Sequence, residues 1–165
     1  MSVPAIVRSI LVGALAAQIP AISLAQEIPP EKAEAIVREI QQSHISANVP
    51  PQEDFDRLLR RDLAAYFSSK EAASPRIEYE LLRDGPTQSG IAYPKFYIWV
   101  RAYSPDGSAR QGAARLAAIE RQRFEVTHFV EQGSIAQNPS QLDALFPPPV
   151  AARIKTKVGL GDSHP

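Results

Sequence analysis

Cysteine is absent from the 165-residue chain, which excludes disulfides, thiolate catalysis and cysteine-ligated zinc or iron–sulfur sites. Histidine is scarce. The three present are His44, His128 and His164, and no H-x-H, H-E-x-x-H or H-x-x-x-D spacing gives any of them a second ligand. The sequence therefore predicts neither a metal site nor a cofactor. Net charge is missing too, with 18 Lys+Arg against 18 Asp+Glu. A general nucleic-acid binder needs surplus positive charge for phosphates, so that class is set aside. No serine lies in a G-x-S-x-G context, and no glycine-rich loop leads through a lysine into a helix.

Long apolar runs are also lacking. The N-terminal run, Ile10 to Ala17, falls short of the ~20 apolar residues that span a bilayer, and Gln18 and Pro20 interrupt the chain beyond it. The segment has three ordered parts: a lone basic residue, Arg8; a short apolar core; and the small-x-small end Ser23-Leu24-Ala25. This is the pattern of a cleavable signal peptide over residues 1–25. It predicts a secreted protein, in the bacterial periplasm, with no membrane attachment after cleavage. No cysteine near the cut could carry a lipid. Residues 26–30 read as a short linker, 31–160 as one domain and 161–165 as a tail. Loss of Arg8 leaves the mature chain at about −1, and a domain of this length buries enough surface to fold without staples.

Prolines punctuate the domain at 29–30, 50–51 and 147–149. After Pro30, Ala33, Ile36, Val37 and Ile40 recur at helical spacing, predicting a helix to about Ser43. A second helix starts near Gln52, with the stripe Phe55, Leu58, Leu59, Leu63, Tyr66 and Phe67, acids at its start and Lys70 near its end. Beyond Pro75 the period drops to two. Ile77, Tyr79 and Leu81 alternate with Glu78 and Glu80, and the segment Tyr93–Tyr103 alternates throughout. Ser104-Pro105-Asp106-Gly107 reads as a turn. Residues 112–121 suit either a helix, by their alanines, or a returning strand; strand is the reading adopted. In 123–131, Phe124, Val126, His128 and Val130 share one expected face. Asn138-Pro139-Ser140-Gln141 offers a helix cap, and a last helix carries Val150, Ile154 and Val158 to Gly159.

The predicted class is α+β: two N-terminal helices packed on a curved antiparallel sheet of about four strands, then short C-terminal helices. The order of elements over residues 31–131 resembles the NTF2-like or cystatin-like α+β superfamily. That resemblance implies helices packed in the hollow of a curved sheet, and it carries no catalytic residue across, because those folds host enzymes and non-enzymes alike.

Three constellations bear on function. His128, sharing a face with apolar residues, is the candidate catalytic base or ligand; the plainer reading is a half-buried histidine bonded to a carbonyl. Glu78 and Glu80 point the same way, which suits paired acid–base work or simply a solvated strand face. Lys95, Tyr97, Trp99, Arg101 and Tyr103 combine aromatic area with charge, as binding hot spots do. They could form an outer sheet face for a homodimer or protein partner, or pack beneath helices. These features suit two functions. The first is a non-catalytic periplasmic binding or accessory module using that sheet face. The alternative is a small-ligand-binding or enzymatic domain with a pocket near His128.

The export signal generates the first prediction. Protein made in a secreting host should begin at Gln26, as read by intact mass or N-terminal sequencing. Full-length chain recovered in the membrane fraction contradicts it.

Overall fold

A computed structural model describes residues 29–68 and 74–160. The signal segment, Lys70 and the 161–165 tail lie outside the described residues. Pro30–Asn48 form helix α1 and Gln52–Phe67 helix α2. Strands β1 (Arg76–Leu81), β2 (Lys95–Tyr103), β3 (Ala109–Ile119) and β4 (Arg123–Glu131) come next. Helices α3 (Gln132–Gln137), α4 (Gln141–Leu145) and α5 (Pro148–Lys157) end the domain. Among the described residues, no helix is long and apolar enough to cross a membrane. The architecture is α+β, as the sequence predicts.

The four strands form an antiparallel meander in the order β1-β2-β3-β4. Residues 112–117 pair with both β2 and β4, and 118–119 continue against β4, so the alanine-rich stretch is a strand. The strand conformation follows from burial on two sides. Ala114, Leu116 and Ala118 face one layer of core and Ala113 faces another. A strand covered on both faces carries a nearly continuous apolar run instead of an alternating one. Gly112 is needed where β4 crosses closely, since a Cβ there would run into the Val130 carbonyl oxygen.

Over one face lies α2. Leu58, Leu59 and Leu63 pack on Ile77, Phe96, Ile98, Val100, Leu116 and Phe124. Phe55 meets Phe96 and Phe124 edge-on, with ring centroids 5.1 and 5.0 Å away, a favoured aromatic geometry. Over the other face lie the C-terminal helices. Ile135, Leu142, Phe146, Val150 and Ile154 cover Tyr97, Trp99, Ala113 and Val130. The body is thus a sheet between two helical layers, with one apolar core on each side.

Helix α1 stands apart from both layers. It runs to Asn48, a turn beyond the expected end at Ser43, and is fastened there. Asn48 is buried; its side chain donates to the His44 carbonyl at 2.9 Å and accepts from the Glu120 N–H at 3.1 Å. Its carbonyl accepts from the Arg121 N–H at 2.8 Å. These bonds hold the β3–β4 turn, where Glu120 and Arg121 sit at φ 51° and 60° without being glycine. Two such residues in succession give the primed turn that matches strand twist, and each costs about 1–2 kcal/mol for a residue bearing a Cβ.

The C-terminal segment departs from expectation in two details. Gln132–Gln137 is helical although no capping signal announces it. Asn138 ends α3 instead of capping α4, because α4 begins only at Gln141; Asn138 accepts from the Ser140 hydroxyl at 2.7 Å. The last helix ends at Lys157, and Gly159 lies just beyond it with φ 77°.

Asn48→Ala removes the acceptor of a buried N–H at a strained turn. It should lower folding stability by about 2–3 kcal/mol in chemical denaturation, and Asn48→Asp, which keeps an acceptor oxygen, should lose less. Equal losses for the two variants would contradict the turn-clamping role.

Candidate functional site

The aromatic stripe of β2 is divided by the C-terminal helices. Tyr97 and Trp99 are buried, 5% and 8% exposed. Tyr97 packs edge-on to Phe146 at 6.1 Å, and its hydroxyl lies 2.7 Å from that of Thr87. Lys95 and Tyr103 are half-buried and Arg101 is exposed. The sequence could not choose between a binding face and a core face. In the fold Tyr97 and Trp99 belong to the core under the C-terminal helices, and Lys95, Arg101 and Tyr103 do not.

Of the outer residues, Arg101 and Tyr103 are already engaged. Tyr103 donates to Glu78 at 3.0 Å, and Arg101 donates to the Tyr103 hydroxyl at 3.1 Å. The Arg76 guanidinium lies 4.1 Å from the Tyr103 ring centroid and binds Glu78. The Tyr103 and Arg76 hydrogen bonds hold the Glu78 carboxyl below its usual pKa. Glu80 takes Lys157 at 2.6 Å and Arg153 at 2.8 Å, tying α5 to the sheet edge. Lys157, then Arg153, lowers its pKa as well. Both carboxylates are thus shifted in the same direction, whereas acid–base division of labour needs them shifted apart. Such exposed pairs add little stability individually. Glu78, Glu80, Trp99, Arg101 and Lys157 line a groove of about 250 Å³ at this edge.

His128 does not share a face with Phe124 and Val126, contrary to the alternation in the sequence. The β3–β4 register shifts between Arg115 and Leu116, so Leu116 faces Val126 while Arg115 faces His128. One extra residue on β4 reverses which side the next side chains take. Val126 and Phe129 therefore join the α2 core, and Val130 joins the core on the opposite face.

At this bulge Arg115 Nη2 lies 2.7 Å from His128 Nδ1. Arginine can only donate, so Nδ1 accepts and the proton of the neutral ring sits on Nε2. Arg115 also donates to Thr127 Oγ1 and to the Leu145 carbonyl at the end of α4, each at 3.2 Å. Burial, then the positive charges of Arg115 and Lys95, pushes the His128 pKa down. The arrangement occupies the basic nitrogen of His128 and locks the bulge to α4. Among the described residues, no carboxylate forms an ion pair with Arg115, and no group of three or more His, Asp or Glu gathers as a metal would require.

One polar cluster escapes a reading of the sequence. Asp56 takes the Tyr79 hydroxyl at 2.8 Å and both oxygens receive Arg60 Nε, at 3.0 and 2.9 Å. Burial, reinforced by the Asp56 hydrogen bond, raises the Tyr79 pKa to about 12, while Arg60 chiefly lowers that of Asp56. The i,i+4 spacing of Asp56 and Arg60 is legible; the tyrosine arrives from β1 only through folding. This cluster staples α2 to the sheet.

An exposed apolar stripe lies on α1. The α1 stripe, which a helical period alone assigns to a core, lies in solvent: Ile36 is 40% exposed, Val37 51% and Ile40 54%. Ala33 and Val37 line a shallow groove between Glu34 and Arg38. No family model, curated protein or solved structure matches the chain.

Trp99, the sole tryptophan, reports on the divided stripe. Its fluorescence should resist a neutral quencher at every protein concentration, and Trp99→Ala should cost ~3–5 kcal/mol of stability. Ready quenching with an undisturbed mutant would place Trp99 outside the core.

Proposed function

We propose that the protein is an exported, non-catalytic binding module that acts through protein–protein contact, with the apolar face of α1 as its recognition element. One observation carries this reading. Three β-branched side chains in two turns of helix are exposed, on an element whose other end is fixed to a rigid body by Asn48. Exposed apolar residues scattered singly need no explanation, but a contiguous stripe rimmed by charges marks an interaction site. An amphipathic helix of this kind docks through residues at i, i+3, i+4 and i+7, the spacing of Ala33, Ile36, Val37 and Ile40.

The state of the titratable groups agrees with a binding role. Asp56, Glu78, Glu80 and His128 each have a specific partner joining two elements of the fold. Those of Asp56 and Glu80 tie helix to sheet, and those of Glu78 and His128 tie strand to strand. The homodimer or protein partner expected at the sheet face is thereby reassigned to the helix, where apolar area is free.

A photo-reactive residue replacing Val37 should form a protein adduct in an exporting cell, and one replacing the exposed Ala65 of α2 should not. Adding Ile40→Asp should abolish the adduct while leaving Tm within about 2 °C, as expected of a surface change. No adduct at position 37, or an adduct to lipid alone, defeats the reading.

A further inference from the structure

The α1 face carries information about its own partner. The helix is 19 residues long, about 28 Å at 1.5 Å per residue. Its apolar stripe is bordered on one side by Glu34, Arg38 and Gln41, and on the other by Lys32 and Glu39. These borders follow from helical spacing, since residues three, four or seven apart lie on one side. Among the described residues, none of these charges forms an ion pair, so each is free for a partner.

In two antiparallel helices, each border meets the same border of the other copy. A single register then satisfies both sides. With Ile36 at the two-fold axis, Glu34 meets the partner's Arg38 on one border, and Lys32 meets the partner's Glu39 on the other. In the seam, Ala33 meets the partner's Ile40, so a small residue opposes a large one, and Ile36 meets the partner's Ile36 at the axis with Val37 on its other side, so β-branched residues fill the centre. Every contact off the axis occurs twice, as an isologous interface requires. Residues 30–42 overlap in this register, and Asn48, where each helix joins its body, lies beyond the overlap at opposite ends.

We infer that α1 pairs with α1 of a second copy of this chain, antiparallel and centred on Ile36, making the module a weak, concentration-dependent homodimer. The inference rests on the proposed role of the α1 face and names its occupant. Four apolar residues per copy place the contact at the small end of specific interfaces, so the dimer dissociates on dilution.

Its test exploits the lack of cysteine in the chain. Sedimentation of protein from a secreting host, up to ~1 mM, should show reversible dimerisation. Ile40→Asp should weaken it at least ~30-fold, on the scale of losing a central anchor. Arg38→Glu should weaken it ~5-fold, and Glu34→Arg with Arg38→Glu should restore it, each exposed ion pair being modest. Under mild oxidation Ile36→Cys should cross-link with itself. Ala33→Cys and Ile40→Cys should each remain uncross-linked alone and cross-link when mixed, because a disulfide needs Cβ atoms within ~4.5 Å.

Self-cross-linking of Ala33→Cys would show parallel pairing and overturn the register. A dimer indifferent to Ile40→Asp would overturn the surface. A monomer at every concentration overturns the inference. If the Val37 probe then captures a different protein, the binding-module reading survives alone; capture of the chain's own N-terminal residues, or of nothing, removes both.

Discussion

Burial of the central strands on both faces is the constraint that organises this protein. β2 and β3 contribute to one core under α2 and another under α3–α5, so neither face of the sheet is spare. The composition of β3 reflects this. It has to be apolar in both directions yet small enough for close approach, hence Gly112, Ala113, Ala114, Ala117 and Ala118. Such a strand has low intrinsic β preference, and its neighbours hold it. The ladder to β2 runs through Tyr97, Ile98, Trp99 and Val100, which supply the bulk that β3 lacks. Packing on each side outweighs the helical preference of alanine.

In a sandwiched sheet the polar side chains that remain act as struts. Asp56 and Arg60 join α2 to Tyr79, Glu80 joins α5, and Arg115 joins the β4 bulge to α4. Asn48 is the deepest of them and the sole buried polar side chain among the described residues. It satisfies donors of a strained turn while terminating α1, so the orientation of that helix is set by the same contact that closes the β3–β4 hairpin. The strain at Glu120 and Arg121 is sustained because the turn is held from outside.

The consequence for function is a separation of labour within the chain. The body, self-sufficient with two cores, presents α1 without sharing in its apolar face. A helix this amphipathic gains little from standing in water, and most helical stability in proteins comes from packing. Its apolar stripe is therefore the part of the molecule that gains most from a partner, and its charge pattern is complementary to itself when reversed.

Local patterns in the sequence determined the α+β class, the helical and extended segments and the chemistries excluded by missing cysteine and sparse histidine, because each depends on residues near in sequence. Leu58, Leu59 and Leu63 were legible as a core stripe, and Glu78 and Glu80 as an outward pair, from periodicity alone. Periodicity tells which residues share a side but is silent on what covers that side. Only the tertiary structure decided that Trp99 is covered by helices and that, among the described residues, Ile36, Val37 and Ile40 are left exposed. It also decided the fate of His128, because one unpaired residue at the bulge reverses the alternation, and that insertion exists only as a mismatch between two strands. The sequence of β4 by itself contains no trace of it.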